Sequence, residues 1–274
     1  MVQAININFH QTFKPEKQYI SAIVEIAADG AKSFSVKDIS SLTGIPNGQC
    51  SGKVEPHIYY ANYMGLINFE KKDGNYCLSR TMLGESVCIE DLGLQESLTI
   101  LICHCMMLRA VSGAPLWAKI FKTIFPKYKN GIKKEMLLKE LEIMFDGKVN
   151  TKNIAPFYGS YDSFFSSLEL LHDDGESIKI TSLSYNKEYI YVYAYILITY
   201  WDELFLDQDE ITSNQLDELF FGNVFGWNKQ EEYEVLEQLS DYGIIRMNRQ
   251  LMPYTILKLT SKDELIAKLY SELC

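Results

Sequence analysis

Two stretches far apart in the chain follow one grammar, and that grammar constrains the fold most. Near the start, "HIYYANYMGLINFEKKDGNYCLS" reads as a helix leaving through "MGLI" into a hairpin. Its strands fall around Ile67 to Glu70 and Tyr76 to Leu78, with Asp73-Gly74 as the turn signal. Near the end, "EVLEQLSDYGIIRMNRQLMPYTILKLT" reads the same way, as a helix, "YGII" and a hairpin. Helices precede both. "KPEKQYISAIVEIAADG" has apolar residues at helical spacing, with Pro15 suited to its first turn. "SFSVKDISSLTGIP" has Ser35 as N-cap and Gly44 as stop. A third helix runs from about Lys53 to Met64, with Pro56 in its first turn. Three helices followed by a hairpin is the order of a winged helix-turn-helix.

The middle reads as helical. "LQESLTILICHCMMLRAV" is nearly all apolar and predicts a buried central helix. Helices follow over "APLWAKIFKTIF", "KKEMLLKELEIMF" and the segment after Pro156, then a strand at "ESIKITSL". "KEYIYVYAYILITYWDELF" has strand-favouring residues, but its length favours a helix. "NKQEEYEVLEQLSDYG" is a helix capped by Asn228, and "KDELIAKLYSEL" closes the chain. The expected fold class is mainly α with small β hairpins. The expected units are an N-terminal winged helix-turn-helix over 1–88, a helical middle domain over 89–206 and a C-terminal winged-helix-like unit over 207–274.

At 274 residues the chain can form one or two domains. The longest apolar run, Tyr189 to Trp201, is too short to span a bilayer, which takes about 20 residues. No secretory leader is legible, and the six cysteines form no C-x-x-C pair, so a cytoplasmic protein with reduced thiols is expected. The net charge of −10 argues against a general polyanion binder, but the acidity is uneven. Residues 1–80 carry 8 basic and 7 acidic side chains, whereas residues 173–274 carry 8 and 19. Residues 119–134 hold six lysines and no acid, which could extend a basic track. A polyanion should therefore meet the first two thirds, and the acidic end should face a basic partner.

The glycine-rich loop before the third helix is not a P-loop. Asn47 stands where the first glycine is required, Val54 where a hydroxyl is required, and no strand precedes it. What remains is Ser51, Gly52 and Lys53 at a helix N-terminus, a place suited to a phosphate. On a helical projection Val54, Ile58 and Ala61 face the core, leaving Lys53, Pro56, Tyr59, Tyr60 and Tyr63 on the opposite side. Tyrosines there suit sugar, phosphate or exposed bases, or a protein partner, or burial against the middle of the chain. Lys71 and Lys72 on the hairpin suit backbone contacts. Cys103, His104 and Cys105 are neighbours on a helix and cannot all reach one ion, so buried thiols are expected and no metal. Acidic clusters at Asp173, Asp174 and Glu176, and at Asp202, Glu203, Asp207, Asp209 and Glu210, would serve a magnesium nuclease only if they converged. No catalytic motif is legible.

Four stretches carry a resemblance: "NFHQTFKPEKQYI", "TGIPNGQCSGKVEPHIYYANYMGLI", "EDLGLQESLTILICHCMMLRAVSGAPLWAKIF" and "FFGNVFGWNKQEEYEVLEQL". Together they resemble a bacterial domain family that includes the SspB proteins of single-stranded DNA phosphorothioation and companions of phosphoadenosine phosphosulfate reductase-like enzymes. The resemblance implies a role in DNA phosphorothioation or a related anti-phage system. It implies partners of three kinds: a cysteine desulfurase, an ATPase and a sulfur-inserting protein. SspB-type members are DNA-nicking, so a magnesium-dependent nickase is the rival to a subunit that only binds double-stranded DNA. The segment from Ser51 to Lys53 is carried over as the DNA contact. A protein-binding scaffold without DNA is the third reading, and self-association stays open.

Overall fold

A computed structural model describes residues 6–27, 32–48, 52–250 and 252–273. One plan occurs three times along the chain. In the first unit, α1 (Lys17–Ile26) leads to β1 (Ser33–Ser35), α2 (Val36–Thr43), α3 (Val54–Tyr63), β2 (Ile67–Lys72) and β3 (Asn75–Arg80). Two connecting helices follow, α4 (Met82–Glu90) and α5 (Ser97–Met107). The second unit opens with α6 (Pro115–Lys119), continued by a π-turn over Ile120–Ile124. It proceeds through β4 (Ile132–Lys133), α7 (Lys134–Met144), α8 (Thr151–Tyr161), β5 (Leu171–Asp173) and β6 (Ser177–Ile180). The third consists of α9 (Ile190–Leu204), β7 (Glu210–Thr212), α10 (Ser213–Leu219), α11 (Lys229–Asp241), β8 (Ile245–Asn248) and β9 (Thr255–Lys258), and α12 (Lys262–Ile266) closes the chain. Each unit forms its own antiparallel three-stranded sheet, always with its third strand between the first and second. The fold is mainly helical with small β-hairpins, as the sequence predicts.

Local chemistry explains most boundaries. Ser35 and Asp38 form a capping box at α2, and Gly44 ends that helix at φ +72°. Asn228 and Glu231 do the same for α11. Asp73 and Gly74 both have positive φ, which lets β2 pair with β3 directly across a two-residue turn. α8 differs from expectation. It starts at Thr151, capped by Asn150 and Asn153, and carries Pro156 inside it rather than before it. In the middle of the chain β6 falls where the sequence predicts a strand, and β4 and β5, which it does not predict, complete a sheet there. β4 has two residues and β5 three, too few to print an alternation on the sequence.

Two helices hold the units together. α5 is buried from Leu98 to Met107, and α9 buries all but Tyr191 between Ile190 and Trp201. Helices apolar on every side belong inside a core. Tyr200 of α9 donates to the Cys105 carbonyl of α5 at 2.6 Å. His104, between the two cysteines, is fully enclosed: one ring nitrogen donates to the Val224 carbonyl at 2.9 Å, and the other accepts from the Tyr161 hydroxyl at 2.9 Å. His104 thereby ties α5 to the second and third units. Burial lowers its pKa to about 4, so the ring is neutral. No helix among the described residues is long and apolar enough to cross a membrane.

Candidate nucleic-acid interface

The N-terminus of α3 gathers several of the residues singled out in the sequence. Ser51 lies outside the described residues. Gly52 sits where a Cβ would meet the Gly48 carbonyl oxygen at 3.1 Å, so the loop closes tightly there. Lys53 is the N-cap of α3, and its amide donates to the Pro46 carbonyl at 2.8 Å. That amide is therefore committed to the loop. The Lys53 ammonium pairs with Glu16 at 2.7 Å and lies over the rings of Phe13 and Tyr19. The hydrogen bond to Glu16 raises the lysine's pKa, so it is charged but already balanced.

His57 locks this corner. Its Nδ1–H donates to the Lys53 carbonyl at 2.7 Å, and its Nε2 accepts from the Glu16 amide at 3.2 Å. The start of α1 and the start of α3 are thus held by one neutral imidazole, whose pKa burial lowers.

The hairpin reaches the same end of α3. Lys71 pairs with Glu55 at 2.6 Å and covers the Tyr76 ring, whose hydroxyl donates to the same carboxylate. Lys71 is raised in pKa, first by its hydrogen bond to Glu55. Lys72 is exposed and makes no ion pair among the described residues. Lys53 and Lys71 thus flank the first turn of α3, each neutralised by a carboxylate.

The tyrosines divide. Tyr60 is fully buried, and its hydroxyl donates to the Phe13 carbonyl at 2.9 Å. This corrects the projection that puts Tyr60 on an outward face. α3 is covered on a second side, where Phe9 and Trp117 pack edge-on against Tyr60. Pro56 and His57 are buried too. Tyr59 and Tyr63 are half-buried: Tyr63 packs on Phe9 at 4.6 Å and Tyr59 on Phe69 at 5.1 Å. Burial, and then the neighbouring Tyr59, push the Tyr63 hydroxyl up to about 12.

A basic cleft beside this corner was not singled out in the sequence. Lys14, Lys17 and Lys53 line a cleft of about 900 Å³, together with Gln95 and Ser163. Lys14 lays its methylenes over Gly159, where a Cβ would come within 3.3 Å of them. Neither Lys14 nor Lys17 makes an ion pair among the described residues. The "KPEK" run around Pro15 is the signal that could have found them. The six-lysine segment does not form a track: Lys122 is buried under the Tyr200 ring, Lys134 pairs with Asp173, and Lys127 reaches Glu140.

The acidic clusters are engaged structurally. Asp202 pairs with Lys258 at 2.8 Å, Glu203 accepts the amides of Val111 and Ser112, and Asp174 caps its own turn through the amides of Glu176 and Ser177. Among the described residues no three His, Cys, Asp or Glu side chains are grouped to hold a metal ion.

No model of a known protein family matches the sequence, and no curated protein matches it. Solved structures do match. A magnesium ion-bound SspB crystal structure superimposes with a TM-score of 0.72 at 13% identity, over 97% of this chain and 86% of that one. A second SspB crystal structure gives a TM-score of 0.73 at 15% identity with the same coverage. The chain has the SspB fold.

Proposed function

We propose that the chain is a DNA-binding subunit of a bacterial phosphorothioation or related defence assembly, and that its first unit meets the duplex as a winged helix. The observation that carries the reading is the order of that unit, α-β-α-α-β-β with the third strand central. That is the order of a winged helix-turn-helix, and cationic side chains cluster at its α3 end. The shared fold with SspB supports the setting.

Phosphates would run along Lys14, Lys17 and Lys53, with Lys72 and Lys71 of the wing on the adjoining backbone. Lysines without partners bind first; Lys53 and Lys71 must exchange a carboxylate for a phosphate. That exchange is affordable because partly exposed pairs contribute only about 0–1 kcal/mol. Tyr59 and Tyr63 have half-exposed rings that could pack on sugar. α3 carries no Arg or Gln, and its one Asn, Asn62, is half-buried and donates to the Ile67 carbonyl at 2.9 Å, so the contact is to backbone rather than base edges. The acidic last third then turns toward a basic protein partner.

One SspB structure is a magnesium-bound form. The described acids of this chain do not assemble a ligand set for that ion, so nicking is the second outcome rather than the proposal. The test is binding of a labelled duplex with magnesium present, with the products run on a denaturing gel. Binding lost in a Lys14→Glu, Lys17→Glu, Lys53→Glu variant, with DNA intact, supports the reading. No binding by the wild type overturns it, and cut strands would replace it with the nickase.

A further inference from the structure

The connecting helix α4 is apolar on two sides. Leu83 and Val87 are buried against the chain. Met82 and Ile89 are instead 54% and 78% exposed. A surface helix ordinarily turns polar residues outward, so this second apolar side has no use within the chain. Met82, Ser86 and Ile89 are spaced as i, i+4 and i+7 and form one stripe. α12 packs beside α4. Ile266, Ala267 and Tyr270 complete an open trough of about 440 Å³ between the two. The Tyr270 and Thr99 hydroxyls hydrogen-bond at 2.8 Å, which fixes the floor of the trough on α5.

The charge along the trough is negative. Its lining holds Glu90 and Asp263 and no cation. Both acids are exposed, and neither makes an ion pair among the described residues. The nearest lysines of α12 are directed elsewhere. Lys262 lines the adjoining cleft, and the Lys268 ammonium lies over the Tyr191 ring of α9, 5.5 Å from its centre.

An apolar stripe two turns long with an unpaired acid from each wall fits an amphipathic helix with basic flanks. We infer that the trough between α4 and α12 docks such a helix from a partner protein. Its apolar residues, at i, i+3 or i+4 and i+7, lie along Met82 and Ile89 over roughly 10 Å. Its Lys or Arg side chains meet Glu90 and Asp263. A second copy of this chain would set the same acids against one another, at a net charge of −10 each. This rests on the reading that the acidic end meets a basic protein, and not on the α3 surface meeting DNA.

The test uses the full chain and a fluorescein-labelled 14-residue helical peptide of leucine and lysine, with leucines along one face, followed by anisotropy. Met82→Ser with Ile89→Ser should weaken binding about tenfold or more. Glu90→Lys with Asp263→Lys should weaken it about fivefold or more, and less so at high salt. Ile143→Ser, which removes a 79% exposed residue of α7, should leave it unchanged. The same peptide with glutamate for lysine should not bind. Duplex binding should be the same in the Ile89→Ser variant as in the wild type, so failure of the trough and failure of the α3 contact are distinguishable. No saturable binding up to about 1 mM, or wild-type binding by the Met82→Ser, Ile89→Ser variant, overturns the inference. So does a dimer in sedimentation velocity that Ile89→Ser abolishes, which would assign the trough to a second copy.

Discussion

Removing the carboxylate that holds Lys53 should strengthen DNA binding. Glu16 lies 2.7 Å from the Lys53 ammonium, and both side chains keep about a quarter of their surface exposed, at 26% each. Glu16→Gln retains length and removes the charge. A phosphate on the far side of the ammonium, about 6 Å from the carboxylate, would be repelled by roughly 0.7 kcal/mol at the dielectric of water. Physiological salt cuts this by about half. Freeing the lysine from a partly exposed pair adds about 0–1 kcal/mol. Together these give a gain of about two- to tenfold in affinity. If Lys53 then neutralises a phosphate that it previously shared, the slope of log K against log salt steepens by up to about 0.9. Fluorescence anisotropy of a labelled duplex measures both, and in a Lys53→Gln background the Glu16→Gln gain should shrink to the screened repulsion alone, about 0.3 kcal/mol or less than twofold. Unchanged affinity in Glu16→Gln, or a gain as large without Lys53 as with it, would refute the contact.

Three further outcomes test the fold that presents this surface. Gly84→Ala should cost about 3 kcal/mol or more in chemical denaturation, because its Cβ would fall 1.8 Å from the Leu66 carbonyl oxygen, a backbone atom that cannot rotate away. Stability should fall by about 2 kcal/mol between pH 7 and pH 5 through His104 alone. Its folded pKa of about 4 lies below the unfolded 6.5, so the stabilisation is complete above 6.5 and is lost as pH falls toward 4. His104→Gln should flatten the slope by about one proton, and an unchanged slope would contradict the buried neutral ring. Lys122→Met should raise the unfolding free energy by about 1–3 kcal/mol at pH 7, since burial holds that amine down to about 8 and charging it in place is costly; a loss of stability would show that its contacts outweigh desolvation.

Much of this architecture is legible in the sequence, for local reasons. Ser35, Gly44, the Asp73-Gly74 turn and Asn228 each do their work within a few residues, so their spacing alone locates them. α9 is legible because fifteen residues exceed any ordinary strand. What stays hidden depends on tertiary packing. The two- and three-residue strands that open each sheet exist only because a hairpin pairs with them. Tyr60 is misplaced by projection because α3 is buried on two sides, and the second is supplied by Phe9 and Trp117 from elsewhere in the chain. The same holds at the candidate surface. Lys53 is identifiable as a helix-start cation, yet its partner Glu16 lies 37 residues away. Lys122 looks like its five lysine neighbours, although it alone of the six is buried.

The salt dependence of duplex binding tests the central claim most directly, comparing the wild type with Lys14→Glu, Lys17→Glu, Lys53→Glu. If the cleft and the start of α3 hold the backbone, the wild type binds with a steep negative slope. The variant then loses roughly 0.9 of that slope for each phosphate contact removed. Equal affinities and equal slopes would contradict the claim and leave the α3 end as a surface for protein rather than DNA.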